Sequence, residues 1–427
     1  MVTTSNHNSR SNHSSSTDVS SGPEAARLNT ARRNDGTYVK LFWLGLLVAS
    51  AAATLAMLVY LYERGERARL AARMTKLSTE GAPIDDASLA KIYQARTSEE
   101  MLEQWSKVFA LARQIEDPSA SGDEKEAKLR LAALRDEVAV AVSADLPCRF
   151  IGKFEALYTL IPHTGELRRT TRLLGSHAQA ALNTGAMDAA LRDSELIQGC
   201  ARAISADPGA IPQLVSIALQ RQALEVYREC IEEDALSETQ LSAIIEDCRR
   251  LGPIGDRWSL AISGERAMAL ALMTDLQYDE SRAVIDRYFH WSGLRGKGAN
   301  NTMDLFEKIE AVSVDDLQAM NRQLTEAQNS WERLKQGLIA NFENRVASDA
   351  VCDFQRLGIR FIYLSMQYRV TAIAAGLRLY HKKFGEFPAS LDQLERVGIK
   401  PKELRTFSGS AFDYTRSPSV SVRRTAS

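Results

Sequence analysis

The longest run of hydrophobic positions lies near the start of the chain. Leu41 to Tyr62 (LFWLGLLVASAAATLAMLVYLY) contains 22 residues and no charge. At about 1.5 Å of rise per residue, these residues would form a helix of about 33 Å, enough to cross a hydrocarbon core of about 30 Å. Trp43 near one end, and Tyr60 and Tyr62 near the other, suit the two membrane interfaces. The pattern predicts one transmembrane helix over 41–62, through which the protein would contact the lipid bilayer.

Polar segments flank this run on both sides. Residues 1–37 are rich in Ser, Asn and Thr without an apolar period, so we predict that they are disordered. Residues 63–80 predict a charged juxtamembrane helix. A cleavable signal peptide fits less well, because the apolar run is too long and a polar segment of about 40 residues precedes it. Lys and Arg lie on both sides in similar number, so charge does not decide the membrane orientation.

The remainder of the chain shows a helical pattern. Apolar positions recur at helical spacings, as at Leu224 and Ile231, and no run alternates with the period of two that is typical of a strand. Breakers such as Asp207-Pro208-Gly209 separate the segments. We predict an all-α fold. It comprises a body of antiparallel helical hairpins over 84–350, a long helix with a C-terminal segment over 351–416, and a disordered tail over 417–427.

Four short motifs predict where helices begin. In a capping box, the side chains of a Ser or Thr and of an acidic or amide residue three positions later accept backbone N–H groups at the helix start. The candidates are Thr97-x-x-Glu100, Ser237-x-x-Gln240, Ser313-x-x-Asp316 and Ser390-x-x-Gln393.

Small residues are concentrated between Leu167 and Pro208. Gly175 and Ala178 lie on one predicted helix and Gly185 at a turn, an arrangement that lets two helices pack closely. This resembles the pattern of tetratricopeptide hairpins, although the second helix is several residues longer and no second copy follows at a period of about 34 residues. An ordinary Ala-rich helix pair is the alternative.

The stretch Leu379 to Leu394 (LYHKKFGEFPASLDQL) predicts a structural corner between two helices. Gly385 can adopt a positive φ angle and so end the first helix. Pro388 prevents its continuation, and Ser390 starts the second helix. Tyr380 and Phe387 flank this turn. Nothing in the corner requires chemistry.

Residues of this corner resemble a known family. Leu377, Tyr380, Gly385, Phe387-Pro388, Ser390-Leu391 and Leu394 are similar to the L-x-x-Y-x-x-x-x-G-x-[FY]-P-x-S-L-x-x-L segment of type II secretion pseudopilins of the G type. Phe407-Ser408-Gly409 with Phe412 and Tyr414 resembles the D-P-[FW]-x-G-x-x-[FLY]-x-Y run that follows, with Arg405 and Thr406 in place of its Asp-Pro. The same segment closes a group of single-pass membrane proteins from planctomycete-type bacteria. The similarity to that group covers Leu167 to Tyr414.

The resemblance implies an envelope protein whose C-terminal body faces the extracytoplasmic side. It also implies that Phe412 and Tyr414 pack back against the corner, in a short extended run. It does not imply a pilus subunit, because a pseudopilin has a short leader and an early Glu in its apolar helix. The present run has no Glu between Lys40 and Glu63. The resemblance implies no particular activity.

Composition narrows the class of partner. The chain has 427 residues, and its 53 basic residues nearly balance 54 acidic ones, without the basic surplus that attracts nucleic acid. We therefore predict no nucleic-acid partner. The five cysteines lie far apart without a C-x-x-C pair, which disfavours zinc and redox sites. We expect them to be buried thiols, with a disulfide such as Cys230–Cys248 as the alternative in an oxidising compartment.

Candidate catalytic residues are few. The chain contains no P-loop, H-E-x-x-H or G-x-S-x-G motif. The glycines of Gly293-x-x-Gly296-x-Gly298 predict a flexible loop rather than a phosphate cradle. Glu265 is predicted to pair with an Arg inside the fold, with a catalytic carboxylate as the alternative. The remaining candidates are scattered histidines, His163, His177, His290 and His381. We predict no catalytic, cofactor-binding or metal-binding residue.

These patterns favour a membrane-anchored, non-enzymatic interaction or scaffolding protein of the bacterial cell envelope. Its helical body would hold a protein partner on the surface of its hairpins. The alternatives are a secretion-system accessory protein and a membrane-tethered hydrolase. The hydrolase would require His163, His177, Glu265 and an Arg to converge in one deep pocket. The sequence does not indicate an oligomeric state.

Overall fold

The computed structural model describes residues 23–94, 99–116, 124–143, 148–151, 153–155, 159, 161–233, 235–274, 294–314, 316–336, 353–406 and 408–415. Within these ranges the chain forms twelve α-helices. They are α1 (Pro23–Thr79), α2 (Asp86–Gln94), α3 (Glu99–Glu116), α4 (Glu124–Ser143), α5 (His163–Asn183), α6 (Met187–Ser205), α7 (Ala210–Glu232), α8 (Glu238–Leu251), α9 (Gly255–Thr274), α10 (Leu294–Glu310), α11 (Leu317–Leu334) and α12 (Phe354–Phe384). Two short 3-10 helices follow, Leu391–Val397 and Pro401–Leu404.

The predicted all-α fold is confirmed. The part of the chain that the structure describes contains no β-strand. Extended pairing there is limited to an isolated antiparallel bridge between Arg405 and Ala411. This bridge lies in the C-terminal segment, where the resemblance implies a short extended run.

Helix α1 contains the predicted membrane span. Among the described helices, one segment is long and apolar enough to cross a membrane, Val39–Thr79, with a mean hydropathy of 2.2 in its most apolar window. Leu47, Leu55 and Leu58 on this segment are each more than half exposed. An apolar surface of this extent is costly in water, and lipid would cover it.

The N-terminal end of α1 differs from the prediction of disorder over 1–37. The helix begins at Pro23, so 23–37 are helical, while 1–22 lie outside the described residues. Propagating an existing helix needs no new nucleus, so the apolar segment can extend helix into a polar sequence that would not nucleate one. Proline is also well suited to the first position of a helix, where its missing N–H would be unpaired anyway.

The charged juxtamembrane part of α1 packs against α10. The Arg73 guanidinium lies 2.8 Å from the Asp304 carboxylate and 2.7 Å from the Glu307 carboxylate. Asn300 donates to the backbone carbonyl of Glu66 at 2.9 Å. The prediction of a flexible glycine loop is therefore wrong for Gly296 and Gly298, which lie inside α10; Gly293 is outside the described residues.

The reason for helix rather than loop at this point is close packing. A Cβ atom at Gly296 would lie 3.2 Å from the Cβ of Glu66 and 3.5 Å from the backbone nitrogen of Arg67. The glycine thus lets the backbones of α1 and α10 approach. This packing outweighs the low intrinsic helix propensity of glycine.

Two hydrophobic clusters form most of the core. The first joins α3, α4, α5, α6 and α7 around Trp105 and Leu174, which are 1% and 0% exposed. The second comprises residues of every helix from α7 through α12 and of the C-terminal segment, around Tyr227, Phe306 and Phe361, together with a few residues of α1, α5 and α6. Helices α5, α6 and α7 contribute residues to both clusters, so they connect the two halves of the body.

The small-residue hairpin between Leu167 and Pro208 is a helix pair, α5 and α6, with Gly185 at φ 72° in its turn. Gly175 packs against α7, and not against α6, the second helix of the predicted hairpin. A Cβ at Gly175 would overlap the Gln222 side chain of α7, whose amide donates to the Thr171 carbonyl at 2.8 Å. The small residues of α5 therefore create room for α7.

The observed helix starts confirm one of the predicted capping boxes and contradict another. The Ser237 capping box is confirmed at α8, with the Ser237 and Gln240 side chains both accepting backbone N–H groups. The Ser313 box is wrong. Asp316 caps α11, its carboxylate accepting the N–H groups of Gln318 and Ala319 at 3.0 Å. Thr97 lies outside the described residues.

The turn between α6 and α7 is held by a close backbone approach from α9. Gly209 adopts a φ of 97°, and a Cβ at Gly264 of α9 would lie 2.6 Å from the Gly209 nitrogen and from the Pro208 Cβ. Atoms of a backbone and a proline ring cannot rotate away as the end of a flexible side chain can. The glycine at 264 is thus required by the packing of α9.

We expect Gly264→Ala to lower the free energy of unfolding by about 2 kcal/mol or more, because the added methyl group would force α9 away from the turn. Gly165→Ala is the matched control. Gly165 is helical, and a Cβ there would meet nothing within 4 Å, so the change should be neutral or stabilise by up to about 1 kcal/mol. Urea titration of the detergent-solubilised protein measures both. Equal effects at the two positions would contradict the close approach.

Candidate functional site

The C-terminal end of α12 is a left-handed turn at Gly385. The residue has φ 77° and ψ −3°, and its N–H donates to the His381 carbonyl at 2.8 Å. A Cβ at this position would meet nothing within 4 Å. The backbone conformation, and not a close neighbour, is therefore what favours glycine.

The predicted capping box at Ser390 is wrong in detail. A 3-10 helix begins after Ser390, but the Ser390 side chain makes no capping hydrogen bond. The Gln393 carbonyl oxygen instead accepts the Ala389 N–H at 2.8 Å and the Tyr380 hydroxyl at 3.4 Å. Pro388 is buried between the two helices. The Gln393 side chain thus points back toward the corner, where the tight loop brings the Ala389 N–H within hydrogen-bond distance.

Aromatic side chains surround this corner. The Tyr414 hydroxyl donates to the Pro388 carbonyl at 2.9 Å. The Phe387 ring stacks on His381 with a centroid separation of 4.5 Å, and Phe387, Phe412 and Tyr414 all pack on the second core cluster. Phe384 is 47% exposed and contacts Tyr380. These contacts return the chain past α12.

The returning segment lies along α12 and α8. A Cβ at Gly376 would lie 3.0 Å from Ile399, so this glycine of α12 lets the segment approach. Arg249 of α8 donates to the Gly398 carbonyl at 2.9 Å, and Arg369 of α12 donates to the Arg405 carbonyl at 3.0 Å. The segment between Gly398 and Arg405 is therefore held by hydrogen bonds from two helices.

A cleft of about 830 Å³ opens between this segment and the helices. Its walls come from the turn between α8 and α9, the start of α11, the middle of α12 and the C-terminal segment. The volume lies in the usual range for small-molecule sites. Six ionisable side chains other than Tyr and Cys line the cleft: Arg249, Asp316, Arg369, Lys400, Lys402 and Glu403.

The two acidic side chains of the cleft are already engaged. Arg249 Nε donates to Glu403 at 2.9 Å, and the Lys400 N–H donates to the same carboxylate at 2.6 Å. Burial works in the opposite direction, but these two donors lower the pKa of the Glu403 carboxyl below its ordinary value. Asp316 caps α11. Both carboxylates are thus held in place by hydrogen bonds.

The cleft also contains a thiol and a phenol, and neither is activated. Burial raises the pKa of the Cys248 thiol and of the Tyr368 phenol far above their ordinary values. The Tyr368 hydroxyl donates to the Gln220 amide oxygen at 2.8 Å. A thiol or phenol that stays protonated is a poor nucleophile. These side chains shape the wall.

A second polar site lies between α5 and the turn before α7. His163 is 5% exposed and Asp207 is fully buried, with Nε2 and Oδ2 2.7 Å apart but not aligned as a hydrogen bond. Burial lowers the pKa of His163 to about 4 and raises the pKa of the Asp207 carboxyl well above its ordinary value. The Phe150 ring stacks on the imidazole at 4.7 Å.

Glu265 binds a helix start instead of an arginine. Its carboxylate accepts the Ala210 N–H, the first of α7, at 2.6 Å. Burial raises the pKa of this carboxyl, an effect that the N–H opposes. The predicted pairing with an Arg is not seen among the described residues, where the neighbouring Arg266 pairs with Glu310. A carboxylate at a helix N-terminus is favoured by the helix dipole, which helps to account for the burial of Glu265.

His177 contacts a different carboxylate. Its Nδ1 lies against Asp193 of α6, and Arg135 of α4 donates to the same buried carboxylate at 2.6 Å. His177 lies 14 residues after His163 on one helix, about 21 Å along its axis. The two histidines therefore occupy separate sites, and the convergence that the hydrolase hypothesis requires is not seen. His290 lies outside the described residues.

The cysteines are buried thiols where the structure describes them. Cys148, Cys200, Cys230 and Cys248 are free, so the alternative of a Cys230–Cys248 disulfide is wrong; Cys352 lies outside the described residues. Among the described side chains, no group of three or more His, Cys, Asp or Glu could hold a metal ion.

The cleft was not found from the sequence. Its basic side chains come from Arg249, Arg369 and the pair Lys400 and Lys402, which are separated by many residues and belong to no short motif. The spacing Lys400-Pro-Lys402, which follows the Leu391–Val397 helix, is a weak local signal for it. No protein-family model, curated protein or solved structure matches the chain.

For the corner, we expect Gly385→Ala to lower the free energy of unfolding by about 1 kcal/mol, because alanine is strained at φ 77°. Urea titration measures the change. Pro388→Ala should cost less. Gly165→Ala serves again as the control, because the same methyl group is added there at a helical φ. Loss of a binding partner at unchanged stability would instead make the corner a recognition site.

For the His163–Asp207 pair, the sign of the pH dependence is testable. Between pH 4 and 6.5, His163 stays neutral when folded but is protonated when unfolded, so its burial lowers stability as the pH falls. Asp207 stays protonated when folded but is charged when unfolded above its ordinary pKa of 3.8, so its burial lowers stability as the pH rises. In the wild type, the two effects offset each other between pH 4 and 6.5.

Asp207→Asn removes only the second effect. We expect the variant to lose stability relative to wild type by roughly 1 kcal/mol per pH unit as the pH falls from 6.5 to 4. Urea titrations across this pH range measure the difference, with the exposed Asp392→Asn as the control. Parallel curves for wild type and Asp207→Asn would contradict the raised pKa of the buried Asp207 carboxyl.

Proposed function

We propose that this protein is a membrane-anchored, non-enzymatic binding protein of the bacterial cell envelope. The apolar segment of α1 anchors it, and the helical body with its C-terminal cleft holds a partner. The observation that carries the proposal is the cleft. It combines a volume suited to a ligand with charged side chains fixed in position and with nucleophiles that burial keeps protonated.

Binding without chemistry fits the state of these groups. Covalent catalysis needs a nucleophile activated by a neighbouring base or by a lowered pKa. The Cys248 thiol and the Tyr368 phenol have raised pKa values, and Glu403 is neutralised by Arg249. The side chains that remain available in the cleft are cations, which attract and orient a ligand.

The extracytoplasmic position of the body is part of the proposal. It rests on the resemblance of the corner to G-type pseudopilins and to the planctomycete-type membrane protein group, because charge is balanced across the span. The left-handed Gly385 and the contact of Tyr414 with Pro388 supply the geometry that this segment requires. A secretion-system accessory protein would be one kind of such an envelope binding protein. We also propose that α5 and α6 form a tetratricopeptide-like hairpin.

A membrane-tethered hydrolase is the second candidate, and one observation favours it. The His177 ring is 30% exposed, and the buried Asp193 orients its Nδ1. A carboxylate that orients a part-exposed imidazole is typical of general bases. Arg135 shares this carboxylate, however, which weakens its effect on the imidazole.

Membrane location and sidedness are tested together. We expect alkaline carbonate to leave the full-length protein in the membrane pellet, because 41–62 cross the bilayer. Protease added to intact spheroplasts should digest the C-terminal body. A cytoplasmic protein measured in the same sample controls for lysis. Release by carbonate would contradict the anchor, and full protection of the body would place it in the cytoplasm.

A further inference from the structure

Three cations of the cleft have no carboxylate partner. Among the residues that the structure describes, no carboxylate oxygen forms an ion pair within 4 Å with the guanidinium of Arg369 or with the ammonium group of Lys400 or Lys402, although the backbone N–H of Lys400 donates to Glu403. Arg249 differs from them, because it pairs with Glu403 on one side and Glu246 on the other. Among the described side chains, the cleft thus contains one cation in close ion pairs and three without one, and Glu403 acts on Arg369 and Lys400 only at longer range.

Arg369 is the least solvated of the three. Its side chain lies in the middle of α12 at the wall of the cleft, and burial lowers the pKa of its guanidinium from its ordinary value. One of its nitrogens donates to the Arg405 carbonyl at 3.0 Å. An arginine has five N–H donors, so several remain for a ligand. Lys400 and Lys402 are exposed and line the same cleft from the C-terminal segment.

The charge of the lining defines the ligand. Four basic and two acidic side chains line the cleft, which leaves a surplus of two positive charges. Like charges gathered in a part-buried cleft repel one another, and an anion bound among them removes that cost. A phosphate monoester carries about −1.5 to −2 at neutral pH, which matches the surplus, whereas one carboxylate would leave it half neutralised.

The apolar part of the lining indicates what the phosphate is attached to. Ile254 in the turn between α8 and α9, Leu317 of α11 and Ala372 of α12 also line the cleft, whereas the two lysines belong to the C-terminal segment. A phosphate ion alone would fill a small part of about 830 Å³. We infer that the cleft binds a phosphorylated organic ligand, with its phosphate on Arg369, Lys400 and Lys402 and its organic part against these apolar residues. This inference rests on the proposed binding function and names the chemistry of the ligand.

The probes are pyrophosphate and glycerol 3-phosphate, titrated by calorimetry against the full-length protein in detergent at constant ionic strength. We expect both to bind, and the Lys400→Gln/Lys402→Gln double variant to weaken both by roughly tenfold. Arg369→Gln should weaken them further. The double variant is the safer test, because both lysines are exposed whereas Arg369 is part-buried and donates to the Arg405 carbonyl.

Two controls match these changes. Lys107→Gln/Lys308→Gln removes the same charge from exposed positions outside the cleft and should leave the affinity unchanged. Asp316→Asn acts in the opposite direction. It removes a negative charge from the lining while asparagine still caps α11, so it should strengthen binding several-fold. A gain from Asp316→Asn together with a loss from the lysine variant is the signature of a charge-selective cleft.

The outcomes separate the inference from the proposed function. Equal affinities in wild type and the double lysine variant, or tighter binding of an aspartate-rich peptide than of either phosphate probe, would overturn the phosphate site. Turnover of a probe by wild type but not by the lysine variant would support the site and overturn the non-enzymatic function. Nanodiscs with and without phosphatidic acid identify the source, because a lipid headgroup in the cleft would compete with the soluble probes.

Discussion

The burial of α12 is the constraint on which the C-terminal half of the body depends. This helix of 31 residues is buried over most of its length against α7, α8, α11 and the returning C-terminal segment. Its two glycines, Gly358 and Gly376, let neighbouring segments pack closely against it. A Cβ at Gly358 would overlap Leu324 of α11, and one at Gly376 would press on Ile399. A helix enclosed in this way fixes its neighbours, because dense packing leaves few alternative arrangements.

Hydrogen bonds between buried polar groups fix the alignment of α12 with its neighbours. Gln220 of α7 is 3% exposed, and its amide oxygen accepts both the Tyr368 hydroxyl at 2.8 Å and Arg257 of α9 at 3.0 Å. Its amide nitrogen donates to Ser216 at 2.8 Å. Leaving any of these groups unpaired would be costly, so α7, α9 and α12 are held in one register. The wall of the cleft is therefore built on a rigid junction.

The corner and the cleft are structurally linked, because the corner returns the chain segment that forms one wall of the cleft. Gly385 ends α12, Pro388 and Tyr414 return the chain, and Arg249 with Glu403 holds the returning segment against α8. The result places Lys400 and Lys402 in the lining of the same cleft as Arg369. The corner has no chemistry of its own. It positions the cations that form the candidate site, which explains how a structural motif can matter for binding without touching the ligand.

The sequence by itself determined what depends on neighbours along the chain. The apolar run at 41–62, the helical period, the Ser237 cap and the turn at Gly385 each rest on contacts within a few residues, so local pattern predicts them. The tertiary structure alone decided the rest. Gly296 lies in a helix because α1 packs on it, Glu265 caps α7 from α9, and Gln393 returns to Ala389 in place of a Ser390 box. The cleft joins Arg249 to Lys400 across about 150 positions, and no local pattern records which distant cations will meet, because long-range packing sets that distance.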